Sequence, residues 1–299
     1  MWTASSKWRR NWESIHWRNC AKSENSRTDL FAVNVRVVRE QPDAPYVIDA
    51  IIEEREKDPK LEKNLNTVIT SAGSPSLYTQ KLKDAGLKVI HVVPSLYHAL
   101  KSEKAGADAV VASGHEAGGH IAWDPVHTSV LTPAIRKTVK VPVLSAGGWC
   151  DGKGLVAALA LGAGAIYMGT RFIATKESDF AQGYKEAVLR GKERDTTVTA
   201  GTFGPMRVLK NEYSLKVEKL LESVTGSFEE KANDPKIVDA KTEVSWADSY
   251  KHGKTENAPV LTGEVQVLVD DLPTVKELVD RIVKEAEEII TKKLPSFIA

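Results

Sequence analysis

The sequence predicts an α/β fold built on a buried parallel sheet. Short runs rich in Val and Ile, each nearly continuous in apolar residues, are typical of strands covered on both faces. Amphipathic stretches of helical period separate these runs. Strand starts recur every ~20 to 35 residues, which is the length of a βα unit.

Six such runs follow one another along the chain. They are FAVNVRVV (31–38), LNTVITSAG (65–73), LKVIHVVP (87–94), DAVVASG (108–114), VPVLSAGG (141–148) and AIYMGTRF (165–172). The helical stretches between them are 44–58, 76–86, 95–106, 128–139 and 152–164, and several end in glycine, a common C-terminal stop. We therefore predict a TIM-type (β/α)₈ barrel in which six of the eight units have a match in the sequence.

The two units without a match fall at the N-terminus, where residues 1–30 contain no buried strand followed by a helix. That stretch holds four of the seven tryptophans, has a net charge of +3 and lacks the apolar core of a secretory signal. It is predicted to be an atypical arm, with an organellar presequence or a wrongly assigned start as alternatives. Because a six-stranded sheet exposes its edges, either the arm or a partner chain closes the barrel, or the barrel is incomplete.

The pattern changes after the sixth strand. Residues 31–180 are predicted to form the barrel, and residues 181–262, which are polar and weakly periodic toward their end, to form a cap or substrate domain. Residues 263–299 are predicted to return to the barrel through an amphipathic helix over 272–293, with Pro273 near its first turn.

Composition excludes several classes of function. The net charge is +1 and the basic residues are scattered among nearly equal acids, which argues against nucleic acid as the main partner. No apolar run approaches the ~18 residues that span a bilayer. Cys20 and Cys150 have no metal-ligand or redox spacing. These features predict a cytoplasmic protein without a membrane partner.

Glycines follow the fifth and sixth runs, where a parallel α/β fold binds its ligands. The segments are SAGGWCDGKG and MGTRF, and they place Gly147, Gly148, Gly169 and Thr170 after neighbouring strands. Glycine lets backbone N–H groups approach phosphate oxygens. One such glycine is equally well explained as a turn residue, but two loops on consecutive strands favour a phosphate site.

The segment GHEAGGHIAWDPVH (114–127) follows the fourth run and contains the candidate catalytic residue. Gly118 and Gly119 would leave room for a planar ring, and His120 follows them directly. Imidazole suits proton abstraction because its ordinary pKa is ~6.5. The histidines of this segment and Glu116 lack a zinc-type ligand spacing, so no metal site is predicted. The sequence also contains no G-x-S-x-G elbow.

Three segments resemble the nitronate monooxygenase (2-nitropropane dioxygenase) family, which includes flavin-dependent enoyl-acyl-carrier-protein reductases. They are GADAVVASGHEAGGHIA, VPVLSAGGWCDGKGLVAALALGAGAIYMGTRFIAT and YKEAVLRGKERDTTVTAGTFGPMRVLKNEY. The closing segment LTGEVQVLVDDLPTVKELVDRIV is similar as well. The combination of EAGGH, an AGG-x-x-DG-x-G turn and MGTRF is highly specific to this family.

The resemblance implies a TIM-type barrel that holds FMN non-covalently under a small cap. Gly118 and Gly119 would border the flavin, and His120 would match the active-site histidine. Gly147, Gly148, Gly169 and Thr170 would hold the phosphate, and Asn34 would lie near the flavin. Ser113, also assigned to the cofactor site, stands where many members carry Gln or Glu. The family's Gly-Gly-Met strand end has no match in residues 1–30.

Three functions remain open from the sequence. The first is oxidation of alkyl nitronates with O₂, in which the substrate reduces FMN and His120 deprotonates neutral nitroalkanes. The second is an NADH-dependent enoyl-thioester or quinone reductase. The third is a non-enzymatic binding subunit that has lost its flavin. A small-molecule substrate, NAD(P)H as a possible reductant and a homo-oligomer are the partners considered.

Overall fold

Strands and helices alternate through the part of the chain that the computed structural model describes, residues 31–36, 44–201 and 204–297. These residues form two compact units. One contains the described residues up to Val92 together with Lys101–Ala109, and the other contains Val93–Leu100 together with the described residues from Val110 onward. The predicted arm (1–30) and residues 37–38 of the first run lie outside the described residues.

Three parallel strands organise the first unit. β1 (Phe31–Arg36) pairs with β2 (Leu65–Ser71), and β2 pairs with β3 (Lys88–Val93). The helices α1 (Ala44–Lys57), α2 (Pro59–Asn64) and α3 (Thr79–Asp84) lie between them in sequence. Buried Ile48, Val68, Leu82 and Val89 form one core cluster with their neighbours. The alternation predicted from residue 31 is therefore present here.

The predicted helix over 44–58 is confirmed as α1 (Ala44–Lys57), and a second helix that was not predicted, α2 (Pro59–Asn64), follows it directly. Asp58 is extended and its carboxylate accepts a hydrogen bond from the N–H of Lys60, while Pro59 occupies the first turn of α2. Proline suits that first turn because its missing N–H would have no helical partner. A new helix therefore begins after Asp58, directly where α1 ends.

A second set of parallel strands belongs to the other unit. β4 (Ala109–Ser113) pairs with β6 (Val143–Ala146), and β6 pairs with β7 (Ala165–Tyr167). The intervening helices are α5 (Thr128–Thr138) and α6 (Gly152–Ala160), and the helix α4 (Leu96–Lys104) precedes β4. Val110, Leu131, Ile135 and Val143 pack together between strand and helix. The strand ends that carry the predicted glycines thus lie side by side.

An antiparallel sheet that the sequence analysis did not predict covers the loop after β4. The two-residue strand β5 (Gly119–His120) pairs with β9 (Gly204–Leu209), and β9 pairs with β8 (Thr196–Gly201). Gly201 and Gly204 face each other at the end of this hairpin, and we call these two residues the hairpin tip. His120 is therefore held by a strand from the predicted cap region.

Helices make up most of the remaining chain. They are α7 (Thr170–Ile173), α8 (Gln182–Leu189), α9 (Glu212–Ser223), α10 (Phe228–Ala232), α11 (Pro235–Thr242), α12 (Trp246–Tyr250) and α13 (Val275–Glu288). The predicted strand over 165–172 ends at Tyr167, because the chain turns into α7 after Gly169. The predicted helix over 272–293 begins at Val275, where Thr274 and Glu277 form a capping box.

The described helices include none that is both long and apolar enough to cross a bilayer. The domain boundaries at 30, 180 and 262 stay predictions.

Asn211, the N-cap residue of α9, allows the stability contributions of a buried and an exposed helix cap to be compared. Its side chain accepts from the N–H of Ser214 and donates to the carbonyls of Thr255 and Ala258, all in buried surroundings. We expect Asn211→Ala to lower the free energy of unfolding by about 2–4 kcal/mol, since buried carbonyls lose their donors. Ser227→Ala, which removes the exposed cap of α10, should cost about 1 kcal/mol. Urea titration of both variants measures this difference, and equal losses would contradict it.

Candidate active site

The loop after β4 is tied to the start of α5 by one carboxylate. Both Glu116 side-chain oxygens accept from the N–H of Thr128, at 3.0 and 3.2 Å, and Oε2 also accepts from the Thr128 hydroxyl at 2.8 Å. The N-cap residue of α5, His127, makes no side-chain hydrogen bond to the helix. Glu116, eleven residues earlier in the chain, accepts the hydrogen bond from the first turn instead. A carboxylate at a helix N-terminus is favourable because the free N–H groups there are donors.

Thr128 also explains why Gly114 and Gly147, the second of them a predicted site residue, are glycines. A Cβ added at Gly114 would lie 2.0 Å from Oγ1 of Thr128, and a Cβ added at Gly147 would lie 2.8 Å from the same atom. The Thr128 hydroxyl contacts the carbonyl of Ala146 as well, at 3.2 Å. Thr128 therefore packs between the loop after β4 and the loop after β6, and both loops need glycine for this contact.

Arg207 of β9 holds the same loop from the other side. Its Nε and Nη2 donate to the carbonyl of His115 at 3.1 and 3.0 Å, and Nη2 lies 3.0 Å from Oε1 of Glu264. The guanidinium is buried, so this ion pair and these hydrogen bonds satisfy a charge that would otherwise be costly. Glu264 in turn donates its N–H to the carbonyl of Glu116.

His120 lies in β5 opposite Met206 and is half-buried. A Cβ added at Gly201 would lie 3.1 Å from its Nε2, so this nitrogen is buried against the hairpin tip. The next residue, Ile121, donates its N–H to the carbonyl of Pro205 and extends the pairing with β9. The imidazole is thus held on a strand rather than on a free loop.

The predicted cofactor glycines fall into two groups. Cβ atoms added at Gly119 or Gly169 would meet nothing within 4 Å, and one added at Gly148 would meet only Cβ of Glu116, at 3.9 Å. Gly119 and Gly148 also have φ of +78° and +83°, a region that L side chains rarely adopt. Gly169 is exposed, Gly148 is half-buried and Gly119 is buried, yet all three have room beside the backbone, which fits a ligand that lies against the chain.

Gly118 is glycine for a different reason. A Cβ there would lie 2.5 Å from the backbone of Thr262 and Gly263, so this glycine permits a close contact between two chain segments. Gly263 also donates its N–H to Oγ1 of Thr170 at 2.9 Å, in a buried position. The predicted contact of Gly118 with the flavin stays a prediction, and its backbone packing was not foreseen.

The remaining predicted cofactor residues lie at strand positions. Ser113 is the half-buried last residue of β4 and pairs with Ala146. Asn34 lies in β1, opposite Ile69 of β2. Their assigned roles toward the flavin stay predictions.

Cys150 is not activated as a nucleophile. Burial, with a smaller contribution from Asp151, raises the pKa of its thiol to about 11, so the thiol stays protonated near neutral pH. Among the described residues, no three side chains of His, Cys, Asp or Glu are arranged to hold a metal ion.

Comparison with known proteins decides the family. Residues 26–285 match the family model described as nitronate monooxygenase. A coenzyme A ester dehydrogenase of Rhodococcus jostii, which acts on a hydroxy-methyl-oxo-octahydroindene-carboxyl-CoA, is 34% identical over 86% of this chain and 77% of its own length. The nitronate monooxygenase of Paraburkholderia phytofirmans is 34% identical over 70% of this chain and 57% of its own length.

This chain belongs to the nitronate monooxygenase family. The structure of FabK from Thermotoga maritima agrees, with 35% identity and a TM-score of 0.78 over 90% of this chain and 79% of that one. The resemblance stated from EAGGH, the AGG turn and MGTRF is confirmed, and so is the TIM-type α/β barrel class. The protein is an oxidoreductase, and family membership implies a flavin cofactor.

His115 gives the site a pH-dependent test of stability. Burial lowers its pKa, and the nearby Arg207 and His127 lower it further, against smaller opposing effects of Glu264 and Glu116. Because the pKa of His115 is lowered in the folded protein, the unfolded chain binds more protons at this residue as the pH falls below about 6.5. The free energy of unfolding therefore keeps its full value, as far as this histidine is concerned, above about pH 6.5 and falls progressively below it. We expect the free energy of unfolding to fall between pH 7 and pH 5, and His115→Gln to reduce this fall.

His252→Gln is the control, because His252 is exposed. Urea titrations at several pH values measure the difference. An unchanged pH dependence in His115→Gln would contradict the assignment.

Proposed function

We propose that this protein is an FMN-dependent oxidoreductase of the nitronate monooxygenase type that oxidises alkyl nitronates with O₂. The observation that carries the proposal is the position of His120. It follows Gly119, a buried glycine at which an added Cβ would meet no atom within 4 Å beyond its chain neighbours, and β9 fixes its backbone. A base next to an open, glycine-lined surface is what abstraction of a proton beside a bound planar cofactor requires.

The residues present fit FMN. Gly148 and Gly169 would offer backbone N–H groups to the phosphate without side chains in the way. Gly147 allows the loop after β6 to lie close to the loop after β4. Thr170 accepts from Gly263, which leaves its hydroxyl proton free to donate to a phosphate oxygen. Gly119 would lie against the ring, and Gly118, Ser113 and Asn34 are proposed as further cofactor neighbours. When bound, FMN supplies the electron acceptor and the reaction with O₂.

His120 would carry the proton chemistry. The proposal assigns the α-proton of a neutral nitroalkane to its imidazole, which the hairpin tip contacts on the Nε2 side. Arg207 would keep the loop in place, since it binds the carbonyl of His115. A nitronate is already deprotonated and needs no base, so only the neutral substrate depends on His120.

A thioester substrate is the second candidate. It is favoured by the Rhodococcus jostii relative, whose substrate is a coenzyme A thioester. In that case NADH would reduce the flavin, and an enoyl thioester or quinone would be the acceptor. Anaerobic bleaching of the flavin by NADH, without a response to nitronates, would select this candidate. A cytoplasmic location and a homo-oligomeric state are proposed for either activity.

The position proposed for the FMN phosphate can be tested with substitutions of the glycines at the two ends of β7. Gly169 follows the carboxyl end and Gly164 precedes the amino end, and both are exposed. We expect Gly169→Leu to weaken FMN binding at least tenfold, because the leucine side chain would occupy the space proposed for the phosphate, with little change in unfolding. Gly164→Leu should bind FMN like the wild type. Quenching of FMN fluorescence measures both affinities, and equal affinities would exclude the assigned position.

The base can be tested by separating two substrates. We expect His120→Ala to keep FMN but to lose about 10²-fold in kcat/KM for neutral nitroethane, the usual scale for a general base. Turnover of preformed ethyl nitronate should fall much less. His127→Ala is the control, because His127 is 60% exposed and lies in the same segment. Oxygen uptake measures all three proteins, and unchanged nitroethane turnover would remove His120 from the mechanism.

A further inference from the structure

We propose that Trp123 and Phe228, called here the aromatic pair, bind the alkyl or acyl chain of the substrate beside His120. The inference rests on the proposed function only for the position of the reacting group. It adds the class of substrate, one with an apolar chain of several carbons attached to a small polar head.

The antiparallel pairing places the indole near the base. The N–H of Ile121 donates to the carbonyl of Pro205, which carries the ladder one residue beyond His120. Two residues later Trp123 reaches the hairpin tip, where a Cβ added at Gly204 would lie 3.5–3.7 Å from three atoms of the indole. The tip therefore contacts Nε2 of His120 through Gly201 and the indole through Gly204.

The second ring of the aromatic pair comes from α10. The rings of Trp123 and Phe228 are 5.8 Å apart between centroids, with an interplanar angle of 70°. This edge-to-face geometry is a favourable one for aromatic side chains. It leaves Trp123 45% exposed, a large apolar surface three residues from the proposed base. Glycine at position 204, with φ of +132°, keeps side-chain atoms out of the adjoining space.

Lys241 connects the two walls of this subsite. Its ammonium group donates to the carbonyl of Gly201 at 3.2 Å and to the carbonyl of Ala232, the last residue of α10, at 2.8 Å. The hairpin tip and the helix that carries Phe228 are thus fixed by one side chain. A subsite with fixed walls loses less entropy when a ligand binds than a mobile one does.

A purely structural role for the aromatic pair makes a different prediction. If Trp123 only fastens α10 to the loop after His120, its removal lowers stability and affects all substrates alike. If it binds a chain, its removal affects long substrates more than short ones. Dependence on chain length therefore separates the two roles.

The first experiment measures binding without turnover. Linear carboxylates from acetate to hexanoate serve as inert probes, because a carboxylate is planar and singly charged like a nitronate. Calorimetry on the protein with FMN added should show tighter binding by about two- to fourfold per methylene group, the upper value being full burial of each group. Trp123→Ala should reduce this factor to nearly one. Trp246→Ala, which removes an indole of similar exposure (42%) on α12, should keep it.

The second experiment measures kcat/KM for 1-nitroalkanes from nitroethane to nitrohexane. The ratio between the longest and the shortest substrate should fall at least tenfold in Trp123→Ala and stay unchanged in Trp246→Ala. Trp123→Phe and Phe228→Ala provide the same comparison if Trp123→Ala does not fold. Wild-type binding and turnover that are independent of chain length, or equal slopes in the two tryptophan variants, would overturn the proposal.

The two proposals fail in distinguishable ways. Carboxylate binding that depends on chain length and on Trp123, together with no turnover of nitronates, would support the subsite and reject nitronate oxidation. Turnover of nitronates, together with a turnover of neutral nitroalkanes that depends on His120 but not on chain length, would support nitronate oxidation and reject the subsite.

Discussion

The contact between the Glu116 carboxylate and Thr128 is the constraint on which the rest of the site depends. Glu116 caps α5 from the loop after β4, and the Thr128 hydroxyl also reaches the carbonyl that ends β6. Gly114 and Gly147 must be glycine because Thr128 occupies the space beside both. One helix terminus therefore sets the distance between the loop that carries His120 and the loop proposed to hold the phosphate.

The opposite side of this loop is fixed by a charged group rather than by packing alone. Arg207 is buried. Its guanidinium donates hydrogen bonds to the carbonyl of His115 and to the hydroxyl of Thr196, and it pairs with the carboxylate of Glu264. Such a buried guanidinium is stable only when its partners are in place, so it favours one arrangement of the loop over others. The loop is therefore held between a capped helix and a paired strand, although it contains several glycines.

Much of the barrel could be predicted because each parallel strand is a local apolar run. The positions of Gly147, Gly148 and Gly169 after strand ends could be predicted because these glycines follow such runs directly. The hairpin of β8 and β9 was missed, since Gly201, Gly204 and Pro205 interrupt its pattern and residues of the turn give no apolar alternation. The reason for Gly118 was also out of reach. Its neighbours, Thr262 and Gly263, are distant in sequence. No local pattern predicts that the backbone at Gly118 contacts the backbone of that segment.

The adjacent glycines Gly118 and Gly119 have different surroundings. Gly119 lies in β5 and has room for a Cβ, whereas Gly118 packs against the backbone of Thr262 and Gly263, in the segment before α13. The surface proposed for the flavin thus follows from short motifs. The walls proposed for the substrate lie outside those motifs: the hairpin tip in β8 and β9, Phe228 in α10, and Trp123 three residues after EAGGH. Family membership alone therefore determines the cofactor more closely than the substrate, and the chain-binding residues must be identified in each member separately.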